Sequence, residues 1–334
     1  LAIYENIEGV PDIEVTSTKV LDGSPLLYHL GTRRVSGHGT GPTLAGRSNA
    51  KCVVGLAIWP DTVDFTANTT ASQEMEASGM FCSSIGYNFP IEDNFTEDVT
   101  FVGNNKGWRR GTEASGCPNP GWVFSPQTGA IDGTDVPTGT GAIQRRENLA
   151  FATTTASNAG GPDYTMLPTQ IPGIDSNGWM SALDAENTVH VQNITVSTDL
   201  GREELFELGT RQPYARVVTF PIEVTCDIEV LSLSGDMINA FADGCKENDD
   251  PCTGITDNLV AEKIRIATCE GTRIYLGTQN KLASVNYGGG DAGGGNVTVT
   301  YSYSTFNDCT VMHISDPDAS GGAWWAVKEN YLGG

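Results

Sequence analysis

The sequence LGREELFELGTRQPYARVVTFPIEVTCDIEVLSLSGD occupies residues 200–236 and contains the clearest periodic pattern in the chain. Its second half alternates strictly between apolar and polar residues, which is the period of a β-strand with one buried face. The apolar set is Ile222, Val224, Cys226, Ile228 and Val230, and the polar set is Glu223, Thr225, Asp227 and Glu229. The pattern predicts an antiparallel strand with a core face and an acidic face that contacts water.

The first half of this stretch predicts a short helix. Asp199 is a candidate N-cap, two glutamates follow in the first turn, and Gly209 would end the helix. Leu205 and Leu208 supply an apolar pair three residues apart. A second short helix is expected over residues 234–244.

The composition indicates a mostly-β chain with a large negative charge. Among 334 residues, 41 are acidic and 19 are basic, which gives a formal net charge of −22. This balance excludes binding of nucleic acid or an anionic membrane through a basic patch. Glycine, threonine, asparagine and serine recur while helical periodicity is rare, which favours strands and turns. The sequence starts at Leu1 without a signal-peptide pattern, and no apolar run approaches the ~20 residues of a membrane span.

Shorter runs predict the remaining strands. Residues 13–16 predict one strand and residues 52–65 another, which looks buried because it contains the apolar run VVGLAIW. Residues 85–101 predict two strands with a bulge or turn near Asp93. Further strands are expected at 191–198, 261–269, 272–279, 284–287 and 296–306.

Repeated short segments indicate an internal duplication. They are FPIE at 89–92 and 220–223, LGTR at 30–33 and 208–211, and IEVTST at 13–18 with the similar ITVST at 194–198. Because the order is the same in both halves, we expect two related antiparallel β-sandwich or half-barrel domains with short flanking helices. The expected domains are 1–102, which insertions stretch, and 189–316. A Gly/Pro/Thr-rich insertion or outer lobe at 103–188 would separate them, and a C-terminal tail would cover 317–334.

The residues of catalytic and metal sites do not occur at productive spacings. The four histidines share no metal-ligand spacing and are expected to be structural or surface residues. Residues 288–293 match G-x-G-x-x-G in letters, but a strand follows them, so no nucleotide site is predicted. Asp227 and Glu229 have the residue types of a glycosidase pair, yet nothing in the sequence separates their environments. We predict no enzymatic activity, no cofactor and no metal.

Eight cysteines are scattered along the chain without a C-x-x-C motif. Cys226 falls among the core positions of its strand, so we expect a small buried hydrophobic residue there. Cys245 and Cys252 flank a short polar loop. They are the one pair that we predict to form a disulfide.

Three segments resemble tail tube proteins of tailed bacteriophages. They are YNFPIEDNFTEDVTFVGNNKGW at 87–108, GREELFELGTRQPYARVVTFPIEVTCDIEVLSLSGD at 201–236, and TRIYLGTQNKLASVNYGGGDAGGGNVTVTYSYSTFN at 272–307. The resemblance covers roughly residues 85–108 and 190–312 and lies in whole segments rather than in a single motif. Residues 109–185 do not share it.

The resemblance implies a β domain whose copies assemble into rings. The inner strands of a ring would close a continuous β-barrel, and stacked rings would form the tube through which DNA leaves the capsid. Most such proteins have one domain and build hexameric rings, so two domains in one chain imply trimeric rings with pseudo-sixfold symmetry. The implied partners are copies of the chain itself and other tail proteins at the tube ends, with no membrane. The implied location is the virion, assembled in the host cytoplasm.

An acidic face suits a conduit for DNA because every phosphate that a protein cation neutralises would hold the strand in place. We therefore expect Glu223, Asp227 and Glu229, with Glu92 and Asp98 in the first half, to face the lumen. DNA would pass without specific binding. The other interpretation of the same face is a solvated surface that only keeps the protein soluble.

Two other classes of function stay open. A secreted carbohydrate-binding or glycoside-cleaving β-sandwich would use exposed tryptophans as sugar-stacking platforms, and the candidates are Trp108, Trp122, Trp324 and Trp325. Another virion component, such as a capsid decoration or baseplate protein, is the third class. Rings or hollow tubes favour the tail tube, whereas a compact monomer that binds glycans favours the carbohydrate protein.

Overall fold

The computed structural model describes residues 10–24, 26–32, 44–47, 49–58, 73–110, 143–151, 164–175, 178–180, 189–231, 261–289 and 296–313. Within these residues the chain is mostly antiparallel β-sheet with few short helices, which confirms the expected fold class. The strands of the larger sheet are β1 (Ile13–Val20), β2 (Cys52–Ile58), β3 (Gln73–Pro90), β4 (Thr96–Gly103), β5 (Asn105–Arg110), β6 (His190–Asp199), β9 (Glu223–Leu231), β12 (Lys281–Gly288) and β13 (Thr298–Phe306). The others are β7 (Arg202–Leu205), β8 (Ala215–Val218), β10 (Arg265–Ala267), β11 (Arg273–Tyr275) and β14 (Thr310–Met312). The α-helices are α1 (Leu27–Thr32) and α2 (Leu44–Arg47), and Arg146–Asn148 form a 3₁₀ turn.

Seven strands form one continuous row in the order β1-β4-β3-β6-β9-β13-β12. Every neighbouring pair in this row is antiparallel, so the strands alternate in direction and the two outer strands, β1 and β12, run the same way. The pair of β3 with β6 connects the strands of the first half of the sequence to those of the second half. Strands from both predicted domains thus share one sheet.

Strand β3 is twice as long as its neighbours in the row and continues past them. Its first residues, 73–80, pair with β2 on one side and with β5 on the other, and we call these three segments the ribbon. β5 follows β4 with only Asn104 between them. Gly79 has a φ of +68°, a conformation that glycine adopts without steric cost, at the point where the ribbon leaves the sheet. We call the end of the sheet from which the ribbon projects the ribbon end. The opposite end, at the turn formed by residues 91–93, is the turn end.

One face of the seven-strand row is buried. The alternation predicted for residues 222–230 is confirmed, because Ile222, Val224, Cys226, Ile228 and Val230 are at most 3% exposed. A second layer covers this face. It consists of the small sheet β10-β11-β14, helix α1 and the irregular residues 143–151 and 164–180 in their described parts. The layers share one apolar core in which Leu167, Ile171, Ile264, Ile274 and Val311 lie opposite the sheet.

Helix α1 is attached to the sheet through a buried carboxylate. The amide groups of Leu27 and Tyr28 donate to the two carboxylate oxygens of Glu97 on β4, at 2.6 and 3.1 Å, and the Tyr87 hydroxyl donates at 3.0 Å. A six-residue helix is too short to be stable alone. These bonds satisfy first-turn amides that have no partner within the helix.

The helix predicted after Asp199 is wrong. Residues 202–205 and 215–218 form the hairpin β7–β8, and Gly209 lies in its turn with a φ of +93°. Leu208 does not pack on a helix face but is fully exposed. A short helix gains little from local propensity, whereas the hairpin gains a backbone ladder and is held to the sheet by Arg202, whose Nε donates to the Cys82 carbonyl at 2.6 Å.

The burial predicted for the strand at 52–65 is also wrong. β2 is a strand from Cys52 to Ile58, but Val53, Leu56 and Ile58 are 54%, 49% and 42% exposed. The reason is its place in the ribbon, where β2 pairs with β3 beyond the register of the sheet. The predicted turn near Asp93 is confirmed, since residues 91–93 connect β3 to β4.

The repeated tetrapeptides occupy different elements in the two halves. FPIE ends β3 at its first occurrence and leads into β9 at its second. LGTR lies partly in α1 at 30–32 and in the turn of the β7–β8 hairpin at 208–211, whereas IEVTST and ITVST are both strands. The domain boundaries remain a prediction. The helix at 234–244, Cys245 and Cys252, and the tail 317–334 lie outside the described residues.

Candidate functional site

The face of the seven-strand row that is turned away from the core is the candidate site, and we call it the polar face. Directly paired residues on neighbouring strands point to the same side of a sheet, so register defines the rows of this face. One row contains Thr18, Asp98, Gly86, Ser197, Thr225, Ser304 and Lys281. The next row contains Thr96, Asn88, Thr195, Asp227, Ser302 and Ser284.

The polar face brings together four of the five acidic residues singled out in the sequence. Three of them, Glu223, Asp227 and Glu229, lie on β9, and Asp98 lies on β4, three strands away in the row. Glu223 and Asp227 are exposed, while Glu229 and Asp98 are partly buried by their neighbours. Glu92 is exposed but lies in the turn beyond the last residue of β3, at the margin of the face.

Sequence reasoning missed two further acids on this face. Asp199 is paired with Ser84 at the ribbon end of β6, and Glu14 is paired with Val102 on β1. Both residues are exposed. The alternation of β1, with polar residues at 14, 16 and 18, carried the signal for Glu14, whereas Asp199 was interpreted as a helix cap.

Hydroxyl groups occupy most positions between the acids. Thr16 and Thr100 share a hydrogen bond across β1 and β4 at 3.1 Å, and Ser197 shares one with Thr225 across β6 and β9 at 2.8 Å. The Thr18 hydroxyl donates to the Asp98 carboxylate. Because these side chains are short and bond sideways to one another, they form a level hydrophilic surface.

The charge of the polar face is almost entirely negative. Its register positions contain the carboxylates of Glu14, Asp98, Asp199, Glu223, Asp227 and Glu229. Among the described residues at these positions, Lys281 at the start of the outer strand β12 is the one lysine or arginine. A broad surface of one sign repels a polyanion and keeps water and counterions in the gap.

The geometry does not favour a pair of catalytic carboxylates. Asp227 is exposed on an open sheet face and Glu229 is two residues further along the same strand. A general acid and a general base need environments that separate their proton affinities, usually a buried site for one of them. Here both side chains share one solvated surface. Among the described residues, moreover, no group of three or more His, Cys, Asp or Glu side chains is placed to hold a metal ion.

Two of the histidines form part of the second layer, as the structural interpretation of these residues expects. His313 is fully buried and its Nε2 lies 2.5 Å from Glu270 Oε2. Burial by itself would raise the pKa of Glu270, but the hydrogen bond and charge of His313, together with the hydroxyls of Thr272 and Thr268, hold that pKa below its ordinary value. His29 is also buried, and burial lowers its pKa well below the ordinary value. No local pattern predicts the contact between His313 and Glu270, because these residues are 43 positions apart in the chain.

The cysteines that the structure describes are free thiols in the fold. Cys226 is 1% exposed among apolar side chains, so the prediction of a small buried hydrophobic residue is confirmed. Burial raises the pKa of Cys82 to about 12 and that of Cys52 to about 11. Thiols with such pKa values are poor nucleophiles at neutral pH.

In the part of the chain that the structure covers, no helix has the length and apolar character needed to cross a membrane. The sequence matches no protein-family model, and no curated protein is significantly similar to it.

Proposed function

We propose that this chain is a structural virion protein that assembles into stacked rings and forms the tail tube of a phage, with the polar face lining the conduit for DNA. The main support for this proposal is the composition of the polar face. Six acids and many hydroxyls spread over seven strands, and among the described residues a single lysine and no arginine occupy its register positions. A duplex moving past such a wall meets no row of cations that would hold its phosphates.

The two outer strands support assembly through the sheet. Among the described strands of the row, β1 and β12 each pair on one side only, and each is eight residues long. An outer strand of a sheet can template pairing with another chain, and neighbouring copies would use β1 and β12 in this way. On β12, Tyr287 is 60% exposed. A neighbouring copy that adds its strand beside β12 would extend the sheet and cover the side chain of Tyr287.

The direction of the strands specifies how a ring would close. β1 and β12 run the same way, so copies related by rotation about one axis would join them as a parallel pair. Three copies would contribute 21 strands from the described row, since each copy supplies seven. With a strand spacing of ~4.8 Å and a tilt of ~40°, a barrel of this size is about 40 Å across between backbones. That width leaves room for side chains and a DNA duplex.

The carbohydrate-protein alternative has less support. Trp108 is 51% exposed, but it lies on the ribbon and not on the polar face. At the described register positions of the polar face, two aromatic residues occur, both at the ribbon end: Phe306, and Phe81, which is only 7% exposed. Sugar-binding surfaces rely on aromatic rings that stack on pyranose faces. Trp122, Trp324 and Trp325 lie outside the described residues.

Electron microscopy of the purified protein in negative stain tests the proposal, together with mass photometry of the smallest ring. The proposal expects rings of three chains with a central hole, and stacks of those rings. A compact monomer that is retained on a glycan array would favour the carbohydrate protein. Six chains in one ring would contradict the trimeric arrangement.

A further inference from the structure

Four charged or titratable side chains lie close together inside the second layer, and we call them the histidine cluster. His29 on α1, Arg47 on α2 and His313 after β14 are at most 1% exposed, and Glu270, in the turn between β10 and β11, is 8% exposed. The charges of Arg47 and His313 act on His29, and Glu270 is bonded to His313. Because its members come from four separate segments, the cluster connects the parts of the layer that covers the sheet.

His29 connects α1 to β14 through a backbone carbonyl. Its Nε2 lies 3.2 Å from the carbonyl oxygen of Val311, and because a carbonyl only accepts, Nε2 must carry the hydrogen of this bond. A further proton would therefore bind at Nδ1 and place a positive charge on a ring that is fully buried. An added charge at such a depth is costly, so the neutral ring is the form that suits the fold.

The charged neighbours of His29 also disfavour its protonated form. Burial is the largest cause that lowers the pKa of His29, and the charges of Arg47 and His313 lower it further, while the backbone hydrogen bond opposes them. The guanidinium of Arg47 is attached to α1 itself, because it donates to the Thr32 hydroxyl at 3.2 Å and lies 5.9 Å from the centroid of the Tyr28 ring. Protonated His29 would thus be a second cation beside one that the same helix holds in place.

The buried acids near α1 respond to pH differently from His29. The carboxylate of Glu270 is bonded to His313, and the stability that it contributes is complete above a pH of about 4.3. Glu97, at the start of α1, has a pKa that burial raises, so its titration makes the fold more stable as the pH falls. His29 has the opposite sign: its pKa is lower in the folded protein, so stability is lost as the pH falls below about 6.5, where the exposed ring titrates.

We propose that the histidine cluster is an acid-sensitive switch, in which protonation of His29 separates α1 from β14 at mildly acidic pH while the seven-strand row stays folded. Helix α1 has six residues and is too short to be stable without its contacts. The row itself lacks such a group among its described residues, because its one histidine, His190, is exposed at the start of β6. This property does not depend on the proposed function.

Hydrogen–deuterium exchange of the purified protein, measured by mass spectrometry at pH 7.5 and pH 5 and corrected for intrinsic exchange rates, tests the switch. The protection of the α1 amides should fall about thirtyfold between these pH values, because one imidazole stays neutral when buried and titrates near 6.5 when released. The protection of β9 and β13 should stay the same. His29→Gln keeps an N–H for the Val311 carbonyl without titrating, so α1 should be equally protected at both pH values. His190→Gln, at the exposed histidine, is the matched control and should open like the wild type.

Equal protection of α1 in the wild type at both pH values, or the same fall in His29→Gln as in the wild type, would overturn the role of His29. Loss of protection in α1, β9 and β13 together would show acid unfolding of the whole protein and would overturn a local switch. Circular dichroism at pH 7.5 shows whether each variant is folded. If His29→Gln is unfolded, Arg47→Met provides the test, since it removes the neighbouring charge and should make the fall in α1 protection smaller than in the wild type. An unchanged fall in Arg47→Met would contradict the part given to Arg47.

Discussion

The guanidinium of Arg216 on β8 donates from Nε to the side-chain carbonyl of Asn104 at 3.1 Å. Asn104 is the residue between β4 and β5, where the ribbon leaves the sheet. Its own amide group donates to the Pro11 carbonyl at 3.0 Å and to Glu204 at 3.1 Å. One side-chain cluster therefore connects the ribbon, the β7–β8 hairpin and the chain entering β1.

Replacing Arg216 should destabilise the folded protein, because Arg216 also forms ion pairs with Asp12 and Glu204 and is only 7% exposed. Arg216→Ala is expected to lower the free energy of unfolding by about 2–3 kcal/mol, since it leaves polar partners without their donor. Urea unfolding followed by fluorescence measures the change. Lys19→Ala is the control, because its ion pair with Asp22 is more open to solvent and should contribute less than ~1 kcal/mol. Equal losses in the two variants would contradict the role given to Arg216.

Replacing Glu97 should lower the free energy of unfolding strongly, because its carboxylate attaches helix α1 to the sheet. Glu97→Ala removes the acceptor for the amides of Leu27 and Tyr28 and for the Tyr87 hydroxyl, all of which are poorly solvated. We expect a loss of about 2–4 kcal/mol in unfolding free energy. Glu14→Ala, on the exposed polar face, should change it by less than ~0.5 kcal/mol. Similar midpoints for both variants in chemical denaturation would show that Glu97 does not anchor α1.

Strands with a clear alternation could be predicted from the sequence because alternation is a local signal, whereas β5, β14 and residues 73–84 of β3 were not expected. Residues 222–230 display both faces of β9 directly, the run at 284–287 falls within β12, and the run at 296–306 includes all of β13. The hairpin at 202–218 could not be predicted in this way. Its stability comes from pairing with a partner strand ten residues away and from Arg202 bonding to the Cys82 carbonyl, and neither contact is visible in local propensity.

The candidate site was predictable in part for the same reason. Alternation placed Glu223, Asp227 and Glu229 together, but their alignment with Asp98 depends on the register of three strand pairs. The exposure of Leu56 was unpredictable because an apolar run does not reveal whether its strand lies in the core or on a projecting ribbon.

The contact of Glu270 with His313 should make stability depend on pH. The pKa of Glu270 in the folded protein lies below its ordinary value, so its ionised form stabilises the fold. That contribution is complete above the pH at which an unfolded glutamate titrates, about 4.3, and is lost as the pH falls through the lower folded value.

Glu270→Gln tests this relation through the melting temperature measured between pH 3 and pH 7. The variant should be less stable than the wild type near pH 6, and the difference should shrink as the pH falls below about 4. Glu203→Gln, at an exposed residue of β7, should follow the wild-type curve. A constant difference across the pH range would mean that the charge of Glu270 contributes nothing.

Reversing the charge of residues on the polar face should slow the release of DNA from the tubes. Asp227→Lys combined with Glu229→Lys places cations where the proposed conduit has carboxylates, so each should engage phosphate and release counterions. We expect tubes of normal appearance that retain DNA at 50 mM salt and release it as salt increases. Glu203→Lys together with Glu207→Lys, off the polar face on the hairpin, is the control. DNA release from the Asp227/Glu229 variant as fast as from the wild type would contradict a lumenal position.

Cryo-electron microscopy of the purified tubes shows whether the polar face is turned towards the channel in the assembled particle. We expect three chains in each ring, with β12 of one chain beside β1 of the next in parallel and with Asp98, Asp227 and Glu229 facing the central channel. A particle in which these carboxylates face outward, or in which lysine and arginine line the channel, would contradict it.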